Sequence, residues 1–142
     1  MTTNETYGKL VKLSDVGQTV ADKNMDLRGR QVVDKDGLKL GKIDALLIDD
    51  ADRKVRFLEV ESGGFLGIGE RKSMIPIDAI STIGPDEVNI DQSGKTVAAV
   101  PTYDPALIDE TVLGNTYQHY GFLPYWGTGY AYPGFPFVGE DD

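Results

Sequence analysis

Gln31-Val32-Val33-Asp34-Lys35-Asp36-Gly37-Leu38-Lys39-Leu40-Gly41-Lys42-Ile43 is the stretch from which the fold can be read. Two apolar runs flank Lys35-Asp36-Gly37, and an Asp-Gly step between such runs supplies residues that tolerate positive φ, as a tight turn between strands requires. Working outward, Leu40 to Asp49 reads as a second strand carrying Ile43, Leu46, Leu47 and Ile48, and Asp50-Ala51-Asp52-Arg53 reads as a polar turn. Val55 to Ser62 alternates, with Val55, Phe57, Glu59 and Glu61 on one face and Arg56, Leu58 and Val60 on the other, the period of a pleated strand. A glycine-rich connection, Gly63 to Gly69, leads into Lys72 to Ile77, where Pro76 predicts an edge strand or a strand end. Ile80 to Ile83 and Glu87 to Ile90, joined by Gly84-Pro85-Asp86, complete a mainly β domain of five to six short antiparallel strands, enough for one small closed sheet.

After Val100 the pattern changes. Asp104-Pro105 reads as an N-cap followed by proline at the first helical position. Ile108, Val112, Leu113, Tyr117 and Tyr120 then recur near the helical period, with Gly121 as the stop. From Phe122 onward glycine and proline are too frequent for a regular element. The expected organisation is an N-terminal arm over 1–26, the β domain over 27–100, a short helical segment over 101–121 and an aromatic Gly/Pro-rich tail over 122–142.

Whole-chain composition narrows the function classes. The 142 residues can bury one core of ordinary size, and a formal charge of -9 repels phosphate backbones and anionic headgroups. Nucleic acid is therefore not an expected partner, whereas a basic protein suits this field. The absence of cysteine excludes thiol catalysis, disulfides and Cys-ligated metal. The first fifteen residues lack a basic head followed by an apolar run, and no stretch approaches the length of a membrane span, so a cytoplasmic protein without a membrane span is the expectation.

At Leu27-Arg28-Gly29-Arg30, Val33-Asp34, Asp36-Gly37 and Leu40-Gly41-Lys42-Ile43 the chain resembles the opening of PRC-barrel domains, small β-barrels found in the photosynthetic reaction centre H subunit and the ribosome maturation factor. The likeness continues through Ile48-Asp49, Arg56 to Val60, Gly63 to Gly69 and Ile75-Pro76-Ile77, covering roughly residues 27 to 91. The later Pro101 to Pro105, Tyr117 to Gly121 and Tyr125-Trp126-Gly127 resemble extensions of stand-alone bacterial members. The resemblance implies a PRC-type β-barrel that serves as a protein-binding or assembly module without chemistry of its own. A regulatory role like that of the reaction-centre subunit is implied by analogy alone, because the chain lacks that subunit's membrane helix.

The loop Gly63 to Gly69 feeds a strand, where a phosphate cradle would need to open a helix. Its Phe65, Leu66 and Ile68 either fold back over the core or form a contact surface. Ser62 and the lone His119 lie in different elements, so Ser62 reads as an exposed turn serine and His119 as a helix-end residue near a favourable dipole. Asp49, Asp50 and Asp52 lack the glycine and distal glutamate of a calcium loop and read as a solvated turn. Glu59 and Glu61 read as a solvated or salt-paired face. The tail gathers most of the chain's aromatic residues, from Tyr117 and Tyr120 through Phe122, Tyr125, Trp126, Tyr130 and Tyr132 to Phe135 and Phe137. Either these cover the chain's own sheet or they anchor a partner. The reading favoured by sequence is a non-enzymatic interaction module, a homodimer or a binder of another protein, using Phe65, Leu66, Ile68, Tyr125, Trp126 and Tyr130, with no catalytic, cofactor or metal residues. A small-molecule or metal-ion binding barrel is the alternative.

Overall fold

The computed structural model describes residues 10–12, 26–49, 54–62, 71–100 and 110–133. In chain order these form β1 (Leu10–Lys12), β2 (Gln31–Val33), β3 (Lys39–Asp49), β4 (Lys54–Ser62), β5 (Arg71–Pro76), a 3-10 turn (Ile77–Ala79), β6 (Ile80–Ile83), β7 (Glu87–Ile90), α1 (Gly94–Ala99) and α2 (Glu110–Tyr120). The chain is mainly β, as its periodicity predicts, and β2 to β7, the 35–37 turn and the helix stop at Gly121 fall where the sequence places them, whereas β1 lies within the expected N-terminal arm and α1 within the expected β domain, and neither was read from the sequence. Asp50 to Arg53, Gly63 to Gly69 and Asp104-Pro105 lie outside the described residues.

Six strands follow the path β5-β4-β3-β2-β7-β6, and β1 pairs with β3 beside it. β3 is long enough to serve two partners along one edge: Gln31 of β2 pairs with Lys42 and Val33 with Lys39, while Leu10 of β1 pairs with Asp49. Two expectations need correction. The strands are not all short, since β3 has 11 residues and β4 has 9, and they are not all antiparallel, since β2 and β7 run parallel with Val32 opposite Val88. The cause is the link between β5 and β6. Antiparallel pairing from β2 through to β5, and of β6 with β7, means that the 3-10 turn carries the chain onward without reversing it.

That link also curls the sheet. Six strands laid flat would set β5 and β6 about 24 Å apart, whereas the step from Pro76 to Ile80 spans no more than about 14 Å. Among the described residues the ladder does not close between these two strands, so the path keeps two ends. Pro76 closes β5 on one end strand, as its missing N–H requires.

Two apolar clusters result. One includes Leu27, Val32, Leu46, Leu58, Ile75 and Val88, with Val97 and Val100 from α1 and the residue after it. The other joins Leu47, Phe57 and Met74 of the sheet to Leu113 and Tyr117 of α2 and Tyr125 of the tail. Adjacent strand residues Leu46 and Leu47 fall in different clusters, so the sheet is covered on both sides. Fully burying each such side chain contributes about 1.5–3 kcal/mol. No helix among the described residues is long and apolar enough to cross a membrane.

The Lys35-Asp36-Gly37 turn is pinned by the buried carboxylate of Asp34. Asp34 Oδ1 accepts the N–H groups of Asp36 (2.9 Å) and Leu38 (2.8 Å), and Oδ2 accepts that of Gly94 at 2.8 Å. Gly37 takes φ 89° there. Gly41 is required for another reason: at φ 154° its missing Cβ would collide with the Glu61 carbonyl of β4.

A candidate docking surface on the outer sheet face

The clean alternation expected of β4 breaks at Arg56. Pairing jumps from Leu47↔Phe57 to Ile48↔Val55, which leaves Arg56 as a bulge with no residue opposite it. Val55 therefore joins Leu58 and Val60 in one cluster while Phe57 faces the other. A bulge re-aims a side chain, and here it turns a guanidinium beneath the aromatic tail.

The Arg56 side chain is only 4% exposed and pairs with Asp49 Oδ2 at 3.2 Å. Its guanidinium carbon lies 4.2 Å from the centroid of the Tyr125 ring, 5.3 Å from that of Tyr132 and 5.9 Å from that of Tyr130. Desolvated cation–π contacts of this kind are worth up to about 2 kcal/mol each. Tyr132 also donates its hydroxyl to the Val55 carbonyl at 3.2 Å. Asp78, in the 3-10 turn, faces the Tyr130 hydroxyl, and burial pushes its carboxyl above the ordinary aspartate range against the opposing pull of that hydroxyl and of Arg56. Burial likewise raises the hydroxyls of Tyr117, Tyr130 and Tyr132, so these rings stay neutral at ordinary pH.

Asp49 and Ser62 correct two further expectations, Ser62 being buried at the end of β4 and not in an exposed turn. Asp49 is buried against Arg56 instead of standing in a solvated turn. Glu59 is fully buried, with Lys12 of β1 at 3.6 Å, so of the two predicted readings it takes the salt-paired one. The remaining turn acids, Asp50 and Asp52, lie outside the described residues. His119 occupies the last turn of α2, as expected, and its Nε2 lies 2.8 Å from the Thr96 carbonyl of α1.

The tail leaves α2 through a defined stop. Gly121 takes φ 84°, its N–H reaches the Gln118 carbonyl at 3.1 Å, and the Phe122 N–H reaches that of Tyr117 at 2.9 Å, the paired bonds of a left-handed helix C-cap. Tyr117 packs against Phe57 at 5.0 Å between centroids and against Trp126 at 6.0 Å. Tyr125 meets Trp126 edge-on at 5.0 Å. Among the predicted interface residues Tyr125 is thus buried on the chain's own sheet, while Trp126 and Tyr130 are half-exposed. The structure brings these three together; Phe65, Leu66 and Ile68, like Phe135 and Phe137, lie outside the described residues.

Beyond Trp126 lies an open groove of about 580 Å³. Glu110, Thr111, Gly114, Asn115 and Gln118 of α2 form one side, and Pro124 and Trp126 form the other. Gly114 opens onto this space, because an added Cβ there would meet nothing within 4 Å. Sequence reading missed Arg56, Asp78 and Gly114. The available signals were an arginine inside an otherwise apolar run and a glycine in mid-helix, a position that otherwise only costs helix stability.

Comparison with known proteins gives one positive finding. The family model described as PRC-barrel domain matches residues 23–97, just over half of the chain. No curated protein matches it.

Proposed function

The chain belongs to the PRC-barrel family, and on that premise we propose that it is a non-catalytic interaction module that self-associates through the outer side of α2. The curled sheet, whose ladder does not close among the described residues, acts as the rigid support for that helix and the tail. The observation that carries the reading is the groove at Gly114 and Trp126.

A second copy is the occupant that the chemistry of this face favours. Asn115 and Gln118 carry amides that both donate and accept hydrogen bonds, so a stripe of them complements itself. In an antiparallel, two-fold crossing of two α2 helices, Glu110 of one copy comes beside Gln118 of the other, and Gly114 at the crossing allows close backbone approach. The half-exposed Trp126 then becomes a buried aromatic anchor. Buried ionisable groups elsewhere are engaged in the fold: Asp49 with Arg56, Glu59 with Lys12, and Asp34 with three backbone N–H groups.

The absence of native cysteine allows a clean test. Gly114→Cys is expected to form a symmetric interchain disulfide under mild oxidation, since the crossing brings the two Cα atoms within the roughly 7 Å that a disulfide tolerates. Lys35→Cys, exposed on the β2–β3 turn, serves as the control. Crosslinking of the Gly114 variant no faster than the control counts against the reading.

A further inference from the structure

Residues 122–133 are neither strand nor helix. Their backbone is ordered by local turn bonds, Gly127 N–H to the Pro124 carbonyl at 2.9 Å and Tyr130 N–H to the Gly127 carbonyl at 3.2 Å. Their attachment to the sheet includes three tyrosine rings gathered on one guanidinium and the Tyr132 hydroxyl on Val55. A segment held by side-chain contacts belongs to the low-stability end of local opening, where a few contacts decide whether it is docked. The same segment carries one wall of the groove: Arg56 contacts Tyr125, Tyr125 contacts Trp126, and Trp126 lines the groove.

We propose that residues 122–133 are a strap that latches on Arg56, and that latching builds the Trp126 wall, so that the α2 docking surface exists only while the strap is closed. Arg56 is then a positioning residue acting through Tyr125. Its planar guanidinium suits stacking in a way that a lysine ammonium does not. The bulge in β4 is what makes a latch available, because a regular strand would aim residue 56 along with Leu58 and Val60. The functional consequence rests on the docking reading; the latch itself does not.

The chain's single tryptophan is Trp126, so its fluorescence reports the strap directly. In full-length protein carrying Gly114→Glu, introduced to keep the chain monomeric, Arg56→Lys is expected to keep the β-sheet circular dichroism and cooperative melting. It should also red-shift Trp126 emission and raise its acrylamide quenching constant about twofold or more. Unchanged emission and quenching in a folded Arg56→Lys protein overturns the latch. Should Arg56→Lys fail to fold, Tyr130→Leu with Tyr132→Leu leaves the Asp49–Arg56 pair intact, and the same readout decides on the same terms. Without the Gly114 change, a folded Arg56→Lys chain is expected to lose self-association. A dimer that survives strap opening overturns the link between latch and surface, and a wild-type chain that never dimerises overturns the docking reading while the fluorescence still judges the latch.

Discussion

At Arg56 a buried cation meets the Asp49 carboxylate and three tyrosine rings, and the two kinds of contact do different things. The ion pair with Asp49 offsets the desolvation of both groups, so removing one partner strands the other: Arg56→Met is expected to lower stability by about 3–5 kcal/mol in chemical denaturation. Retained wild-type stability would show that Asp49 finds compensation elsewhere. Gly41 is constrained by backbone instead. Gly41→Ala puts a Cβ at φ 154° against the Glu61 carbonyl, and a loss of about 1–3 kcal/mol is expected. Gly114 is the reverse case, because its Cβ direction is open. Gly114→Ala should stabilise the folded chain by about 0.5–1 kcal/mol through helix propensity, and a destabilised variant would mean that the groove floor is occupied in the free protein.

At the scale of elements, Asp34 and Asp78 connect pieces that the sequence separates. Asp34→Ala removes the acceptors for Asp36, Leu38 and Gly94 at once, which should cost about 2–4 kcal/mol and increase hydrogen exchange at the Gly94 amide. Unaltered exchange there would place the α1 anchor elsewhere. Asp78 gives a pH dependence of the opposite sign to a salt-bridged acid. Its folded-state value lies above the ordinary 3.8, so within that window the folded chain holds more protons than the unfolded one and stability falls as pH rises. Asp78→Asn should flatten the decline of melting temperature that begins near pH 3.8, and an unchanged slope would assign the titration to another group.

The elements themselves were largely legible. The Asp36-Gly37 turn, Pro76 and Gly121 work through backbone rules that act locally, and the structure obeys them. The parallel pairing of β2 with β7 was not legible, because a three-residue turn between β5 and β6 looks in sequence like a reversal. The β4 bulge was hidden for a related reason: Val55 to Glu61 fits a perfect alternation, and only pairing with β3 shows that Arg56 is the extra residue. Of the candidate site, Tyr125, Trp126 and Tyr130 were readable as an aromatic concentration, whereas Gly114 becomes meaningful only once the open space beside α2 is seen.

At the scale of the molecule, the sheet is a support whose outer face carries α2 and the strap. Each copy carries a formal charge of -9, so association must overcome mutual repulsion across the whole surface. Raising ionic strength from low to physiological should therefore tighten the dimer, because a Debye length near 8 Å screens charges remote from the interface. Dissociation by salt would mean that the interface depends on ion pairs that the α2 stripe does not offer.

The most direct test is native mass spectrometry of the full-length chain beside its Gly114→Glu variant at the same concentration. A dimer for the wild-type chain and a folded monomer for the variant is the expected result, since the two added carboxylates meet each other at the crossing. A wild-type monomer, or a variant that dimerises as well as the wild type, would contradict self-association through α2.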